Sequence, residues 1–158
     1  MIQRIQTVFL FVSLCFVIPM FFAPMAELVY KPPQESVNET EKIFSFDLRG
    51  FYQTESGIRD SDEFSIMSFG ILICVLNLLI IFLYKRRLLQ IRLCIYNILF
   101  LLGMTGVIFF TLFNVESDPL VSPRLPIVFP IVAVILHYLA FRSIRRDELM
   151  VQALSRLR

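Results

Sequence analysis

The sequence has 158 residues, of which 57% are hydrophobic and only 18% are charged, and its mean hydropathy is +0.73. A soluble domain of this length has too small an interior to bury so much apolar surface, so the composition favours a membrane protein. Nucleic-acid binding would need a basic face on a soluble domain, so no nucleic-acid partner is expected for this chain of net charge +2.

The first apolar segment, residues 5–26, contains no charged residue and follows Arg4. It is about as long as the ~20 residues that a helix needs to cross a bilayer, so it predicts a transmembrane helix, which Pro19 should kink or end. The alternative is a secretory signal peptide, because Ala23 and Ala26 offer small residues near a cleavage point. The apolar run is longer than a usual signal-peptide core, which favours a retained helix.

Residues 27–63 form the one long polar segment, with four basic and nine acidic residues. We interpret it as an outer loop. Residues 44–48 alternate between apolar and polar side chains, which is typical of a half-buried strand, and residues 28–30 could pair with them. The segment therefore predicts a small β-sheet on the outer ends of the helices.

Two charge-free runs, residues 64–84 and 93–115, flank a short basic hinge at residues 85–92. Each run is long enough to span a bilayer. The hinge carries four basic residues and no acid, and short basic loops stay on the cytoplasmic side of a membrane. The pattern predicts a transmembrane hairpin with its tip in the cytoplasm.

The last third of the chain predicts an outer turn over residues 116–124, a fourth transmembrane helix over residues 125–142 and a tail over residues 143–158. In the tail, apolar residues recur every three or four positions among several arginines, which is typical of an amphipathic helix. We expect this helix to continue the fourth helix and then to lie along the membrane surface or across the hinge. The predicted fold is an all-α membrane protein: four transmembrane helices in a bundle, with the small sheet in the first outer loop and an amphipathic C-terminal helix.

Charge sets the predicted orientation. Arg4, the hinge and the chain after residue 141 hold ten basic and two acidic residues, whereas residues 27–63 and 114–124 hold five basic and eleven acidic residues. By the positive-inside rule, this multi-pass chain has both termini in the cytoplasm.

Three polar residues of the predicted spans, Asn77, Asn97 and His137, fall in the cytoplasmic half. Hydrogen bonds between helices are the favoured interpretation, and a ligand or proton site is the alternative. A lone histidine without a second imidazole or a carboxylate at its depth disfavours a metal site. No acid or base lies in the middle of a span, which argues against an ion-coupled transporter.

The acids of the tail suggest a second cluster. We predict that Asp147 or Glu148 pairs with Arg86, Arg87 or Arg92 and docks the tail over the hinge, with the apolar stripe of the tail supplying most of the docking energy. The alternative is a tail that lies on anionic lipid through its arginines.

Three parts of the chain carry a resemblance to a known family: residues 1–7 (MIQRIQT), residues 85–94 (KRRLLQIRLC) and the tail, with IRRDE at residues 144–148 and SRLR at residues 155–158. Together they resemble domain-of-unknown-function family 4293, small four-helix membrane proteins of Bacteroidota. The resemblance implies an inner-membrane location and a retained first helix, and it supplies no activity.

The sequence has no phosphate-binding glycine loop, no nucleophile elbow and no paired carboxylates. We therefore expect no enzyme, no cofactor and no metal. The expected function is a structural or partner-binding subunit of an envelope complex, held in the lipid bilayer beside another membrane protein or a second copy of the chain. The alternative is a small-molecule or lipid transporter, or part of one, with a polar cavity around Asn77, Asn97 and His137.

Overall fold

The computed structural model describes residues 3–30, 42–54, 56, 58–62, 64–84, 86–115 and 119–156. In this part of the chain four α-helices form: α1 (Gln3–Val17), α2 (Phe64–Phe82), α3 (Arg87–Phe113) and α4 (Phe129–Arg156). Single 3-10 turns, Ile18–Phe21 and Leu125–Val128, follow α1 and precede α4. The strands are β1 (Ala26–Tyr30), β2 (Lys42–Asp47), β3 (Gly50–Gln53), β4 (Arg59–Asp62) and β5 (Leu120–Pro123).

The four helices pack side by side, with their main contacts between α1 and α4, α4 and α3, α3 and α2, and α2 and α1. We call this group the helix layer. Buried positions in each helix recur every seven residues; Ile66, Ile73 and Ile80 are the example in α2. A seven-residue repeat keeps one stripe of a helix facing its neighbours, as in coiled-coil packing. The repeat therefore sets which side chains meet inside the helix layer.

The sheet has the order β4-β3-β2-β1-β5, and every neighbouring pair is antiparallel. The predicted pairing of residues 28–30 with residues 44–48 is confirmed, with Leu28 opposite Phe44. Gly50 has a φ of 123° directly after the turn between β2 and β3, a conformation that glycine adopts without the strain of a side chain. The sheet is larger than predicted, because β5 comes from the predicted outer turn and pairs with β1.

Two apolar clusters divide the helix layer along its length. The larger cluster joins the helices to the sheet and includes Met20, Ile73 and Met104 together with Leu28 and Phe46 of the sheet. The smaller cluster lies toward the other end of the helices and is built from the following residues: Leu10, Ile80, Cys94, Ala140 and Ile144. We call the end near the smaller cluster the basic end, because α3 begins there at Arg87 and α4 carries its arginines there.

The prediction of an all-α chain with four transmembrane helices in a bundle is wrong. Among the described residues, only two helices, Arg87–Phe113 and Leu125–Ala153, are long and apolar enough to cross a membrane, and a five-stranded sheet accompanies the helices. The apolar helical parts of the other two, Ile5–Phe21 and Ile66–Phe82, are shorter than the ~20 residues that a span needs. The fold is an α+β arrangement.

The corrected boundaries have local causes. Pro19 lacks the backbone N–H of a helix interior, so α1 ends at Val17 in a 3-10 turn and the chain enters β1 at Ala26, within the predicted first span. The predicted hinge is partly helical, since α3 begins at Arg87. The tail continues the fourth helix, as predicted, because α4 runs without a break to Arg156.

Candidate functional site

A layer of polar side chains separates the two apolar clusters. Each of the four helices contributes one member, and all four are fully buried: Ser13, Asn77, Asn97 and His137. Each lies in sequence between a residue of the larger cluster and a residue of the smaller one, as Asn97 lies between Leu101 and Cys94. We call these four residues the polar layer. Three of them are polar residues that the sequence predicted, and Ser13 is not.

His137 is the centre of the hydrogen bonds in this layer. Its Nδ1 lies 2.9 Å from Ser13 Oγ and 2.9 Å from the backbone oxygen of Ala133, and its Nε2 lies 2.7 Å from Asn97 Nδ2. A carbonyl oxygen can only accept, so Nδ1 carries the proton and donates, and Nε2 accepts from Asn97. The ring thereby joins α4 to α1 on one side and to α3 on the other.

Asn77 stands apart from these bonds. Neither its Oδ1 nor its Nδ2 has a hydrogen-bond partner among the described residues, and the Oδ1 of Asn97 also has none. A buried polar group without a partner costs about 1–3 kcal/mol relative to its hydrated state. The structure therefore brings Asn97 and His137 together and leaves Asn77 at their level without a bond to either.

A second polar set lies near the basic end of the helix layer. Gln6 Nε2 donates to Asp147 Oδ2, joining α1 to α4, and Gln90 Nε2 donates to the backbone oxygen of Ile80 at 3.2 Å, joining α3 to α2. All three polar side chains are buried. Neither glutamine was predicted from the sequence. Gln90 lies seven residues before Asn97, a predicted polar residue, and this spacing is the signal that could have identified it.

The predicted ion pairs between tail and hinge do not form among the described residues. Asp147 faces inward and accepts from Gln6, and Glu148 accepts from Gln152 Nε2 at 3.1 Å. Neither carboxylate forms a salt bridge with Arg86, Arg87 or Arg92. The reason is that α4 continues to Arg156 with the Asp147 face of its last turns against α1. Leu149 and Ala153, two residues of the predicted apolar stripe of the tail, are exposed.

The chemistry of the polar layer is that of interhelical contacts. The ring nitrogens of His137 are both engaged, and its side chain has no exposed surface. Within the described parts of the chain, no three side chains of His, Cys, Asp or Glu lie close enough together to hold a metal ion. Outside the helix layer, the Arg124 guanidinium pairs with the Glu27 carboxylate beside β1 and β5.

The model of the family described as domain of unknown function (DUF4293) matches residues 2–157, which is nearly the whole chain. No curated protein matches the sequence significantly.

Proposed function

We propose that this chain, which belongs to the DUF4293 family, is a non-enzymatic inner-membrane protein that binds or stabilises another membrane protein in an envelope complex. The observation that carries the proposal is the complete burial of the polar layer. Its hydrogen bonds join helices to one another, so its polar groups are not open to a substrate. Apolar side chains occupy much of the outer surface of the helices.

Helices α3 and α4 are the proposed membrane-crossing pair. Both helices are long and apolar enough to cross a membrane, and only 28% of each candidate span is buried within the chain. A core helix of a soluble protein would be mostly buried. The exposed faces carry large apolar side chains, among them Leu99 and Phe110 on α3 and Ile135 on α4, which suit contact with lipid or with a membrane partner.

The distribution of charge supports an orientation with the basic end in the cytoplasm. Arg4, the hinge and the chain after residue 141 carry ten of the fifteen basic residues, and the segments around the sheet are acidic. Because Gln6 of α1 contacts Asp147 of α4, the start of α1 lies at the same end. The proposal thus places both termini in the cytoplasm and the sheet on the outer side.

A photo-crosslinking experiment in living cells tests the proposal. In four variants, a photoreactive residue replaces one exposed residue on each helix: Phe11, Phe82, Phe110 or Ile135. In the matched control, it replaces Met104, which is fully buried. We expect at least one exposed position to form an adduct with one membrane protein, or with a second copy of the chain, and the control to form none. Adducts with lipid alone at all four exposed positions would contradict partner binding.

Transport is the second candidate function, and one observation favours it. The Asn77 side chain and the Asn97 Oδ1 atom are buried polar groups without a partner, as in a site that awaits a polar solute. Mass spectrometry of the gently purified protein tests this candidate. A small molecule that is present in the native protein and lost from the Asn77→Leu variant would favour transport over a structural role.

A further inference from the structure

An open groove lies at the basic end, between the start of α3 and the last turns of α4. Its volume is about 440 Å³. The lining residues are Arg86, Arg87, Leu88, Leu89, Glu148 and Val151. Leu88 and Val151 are 60% and 48% exposed, so apolar surface faces outward at a place where basic side chains also gather.

The charges of this groove are not matched to one another. Arg86, Arg87 and Glu148 line the same space, yet no salt bridge joins them among the described residues, and Glu148 accepts its hydrogen bond from the neutral Gln152. Two arginines and one glutamate thus line an apolar groove, and the charged side chain of each can take a partner of opposite charge. The pattern fits a ligand that carries an anionic group, a cationic group and an apolar part.

We propose that this groove binds the headgroup of an aminophospholipid. The phosphate diester lies against Arg86 and Arg87, since planar guanidinium groups bind phosphate through paired hydrogen bonds. The primary ammonium lies against the Glu148 carboxylate, and the first carbons of an acyl chain lie over Leu88, Leu89 and Val151. The volume suits a headgroup and the start of the chains, because small-ligand sites span roughly 300–1,000 Å³.

The carboxylate decides between lipid classes. A purely anionic headgroup would satisfy the arginines and leave Glu148 beside a like charge. A choline headgroup would supply a cation that has no N–H to donate to the carboxylate. Only the primary amine supplies both a positive charge and hydrogen-bond donors. The inference rests on the proposed function in one respect, that α3 and α4 cross the membrane and bring this groove to the lipid surface.

Binding of the full chain in detergent to three lipids with identical acyl chains tests the proposal by native mass spectrometry. The headgroups are ethanolamine, choline and glycerol. We expect ethanolamine lipid to bind about tenfold more tightly than choline lipid, because hydrogen bonds between charged groups are worth roughly that factor or more. Arg87→Gln should lower ethanolamine-lipid binding by about tenfold, and Glu148→Gln should remove the preference for ethanolamine over choline. Arg92→Gln is the matched control, since Arg92 is exposed on the same helix outside the groove. This variant should change neither the binding of ethanolamine lipid nor the preference for ethanolamine over choline.

Two results would overturn the proposal. In the first, the native chain binds glycerol lipid most tightly and Glu148→Gln has no effect on binding, which would show general attraction to an anionic surface. Equal binding of all three lipids would show that the groove does not recognise a headgroup. Cell fractionation distinguishes failure of the lipid site from failure of the proposed function. A chain that is found in the membrane fraction but shows no lipid preference contradicts only the lipid site. A chain that is found in the soluble fraction contradicts the proposed function.

Discussion

The polar layer shows how single residues can determine the packing of an apolar interior. His137 bonds to α1 through Ser13 and to α3 through Asn97, at distances of 2.9 Å and 2.7 Å. Hydrogen bonds between helices in an apolar surrounding contribute about 0.6–2 kcal/mol each. A shift of one helix along another would break these bonds while leaving apolar contacts largely intact. The layer therefore fixes the register of α1, α3 and α4.

We expect substitution by leucine to affect the thermal unfolding midpoint differently at the two asparagines of this layer. Asn77→Leu should leave the thermal unfolding midpoint in detergent unchanged or raise it, because it removes a buried amide that has no partner. Asn97→Leu should lower the midpoint, with a loss of about 1–3 kcal/mol, because it leaves His137 Nε2 buried without its donor. The two variants are matched in chemistry and burial. An equal loss in both would show that Asn77 has a partner of its own.

The distance of a residue from the arginine that flanks its apolar run was enough to predict part of this layer. Asn97 and His137 lie at similar distances from their flanking arginines, so the sequence placed them at one level. The third residue of the bonded set, Ser13, was missed because serine is common in apolar helices and carries no signal of depth. Its seven-residue spacing from Gln6 becomes informative only once the buried stripe of α1 is known.

At the scale of elements, the sheet joins segments that are far apart in the sequence. Strand β2 was predictable because its side chains alternate between apolar and polar, and β1 was predictable only as a partner for it. β4 is polar throughout (RDSD), and β5 ends in a proline, so neither carries a strand pattern. β5 is placed by its pairing with β1, where Ala26 lies opposite Pro123. Such a non-local register depends on the ends of two loops meeting, which local propensity does not encode.

Pro123, which ends β5, and Pro119, which precedes it, protect an edge of the sheet. The backbone N–H of Arg124 donates to Met25 O at 2.8 Å, so by alternation the N–H groups of Leu120 and Ser122 also face β1. Positions 119, 121 and 123 then face the open edge, and Pro119 and Pro123 have no N–H to offer. Prolines at such positions prevent another strand from pairing with the edge.

Replacing both prolines should therefore increase self-association. The double variant Pro119→Val, Pro123→Val regains two outward donors, and we expect a larger oligomer than that of the native chain by light scattering after size-exclusion chromatography in detergent. Ser122→Val is the control, because it adds the same side chain at a position whose N–H faces β1. If the control associates as strongly as the double variant, apolar surface and not strand pairing is responsible.

At the scale of the whole molecule, the helix layer and the sheet form one body. The larger apolar cluster contains side chains from all four helices and from β1 and β2, so the sheet covers one end of the helices. The sequence predicted where the apolar segments lie. The predicted number of membrane-spanning helices was too large, because a run without charged residues need not form one continuous helix. In the first run, Pro19 ends α1 early, and the remaining residues turn toward β1.

Site-specific labelling of two cysteines measures the proposed arrangement in the membrane most directly. Ser122→Cys reports on the sheet, and Arg145→Cys reports on the basic end; both positions are exposed. Each is introduced into a chain whose native cysteines, Cys15, Cys74 and Cys94, are replaced by alanine. The label is a maleimide that cannot cross membranes, applied to spheroplasts before and after lysis.

We expect residue 122 to be labelled in unbroken spheroplasts and residue 145 to be labelled only after lysis, because in the proposed arrangement α3 and α4 cross the inner membrane and the sheet and the basic end lie on opposite sides of it. Labelling of both residues, or of residue 145 alone, before lysis would contradict the proposed arrangement.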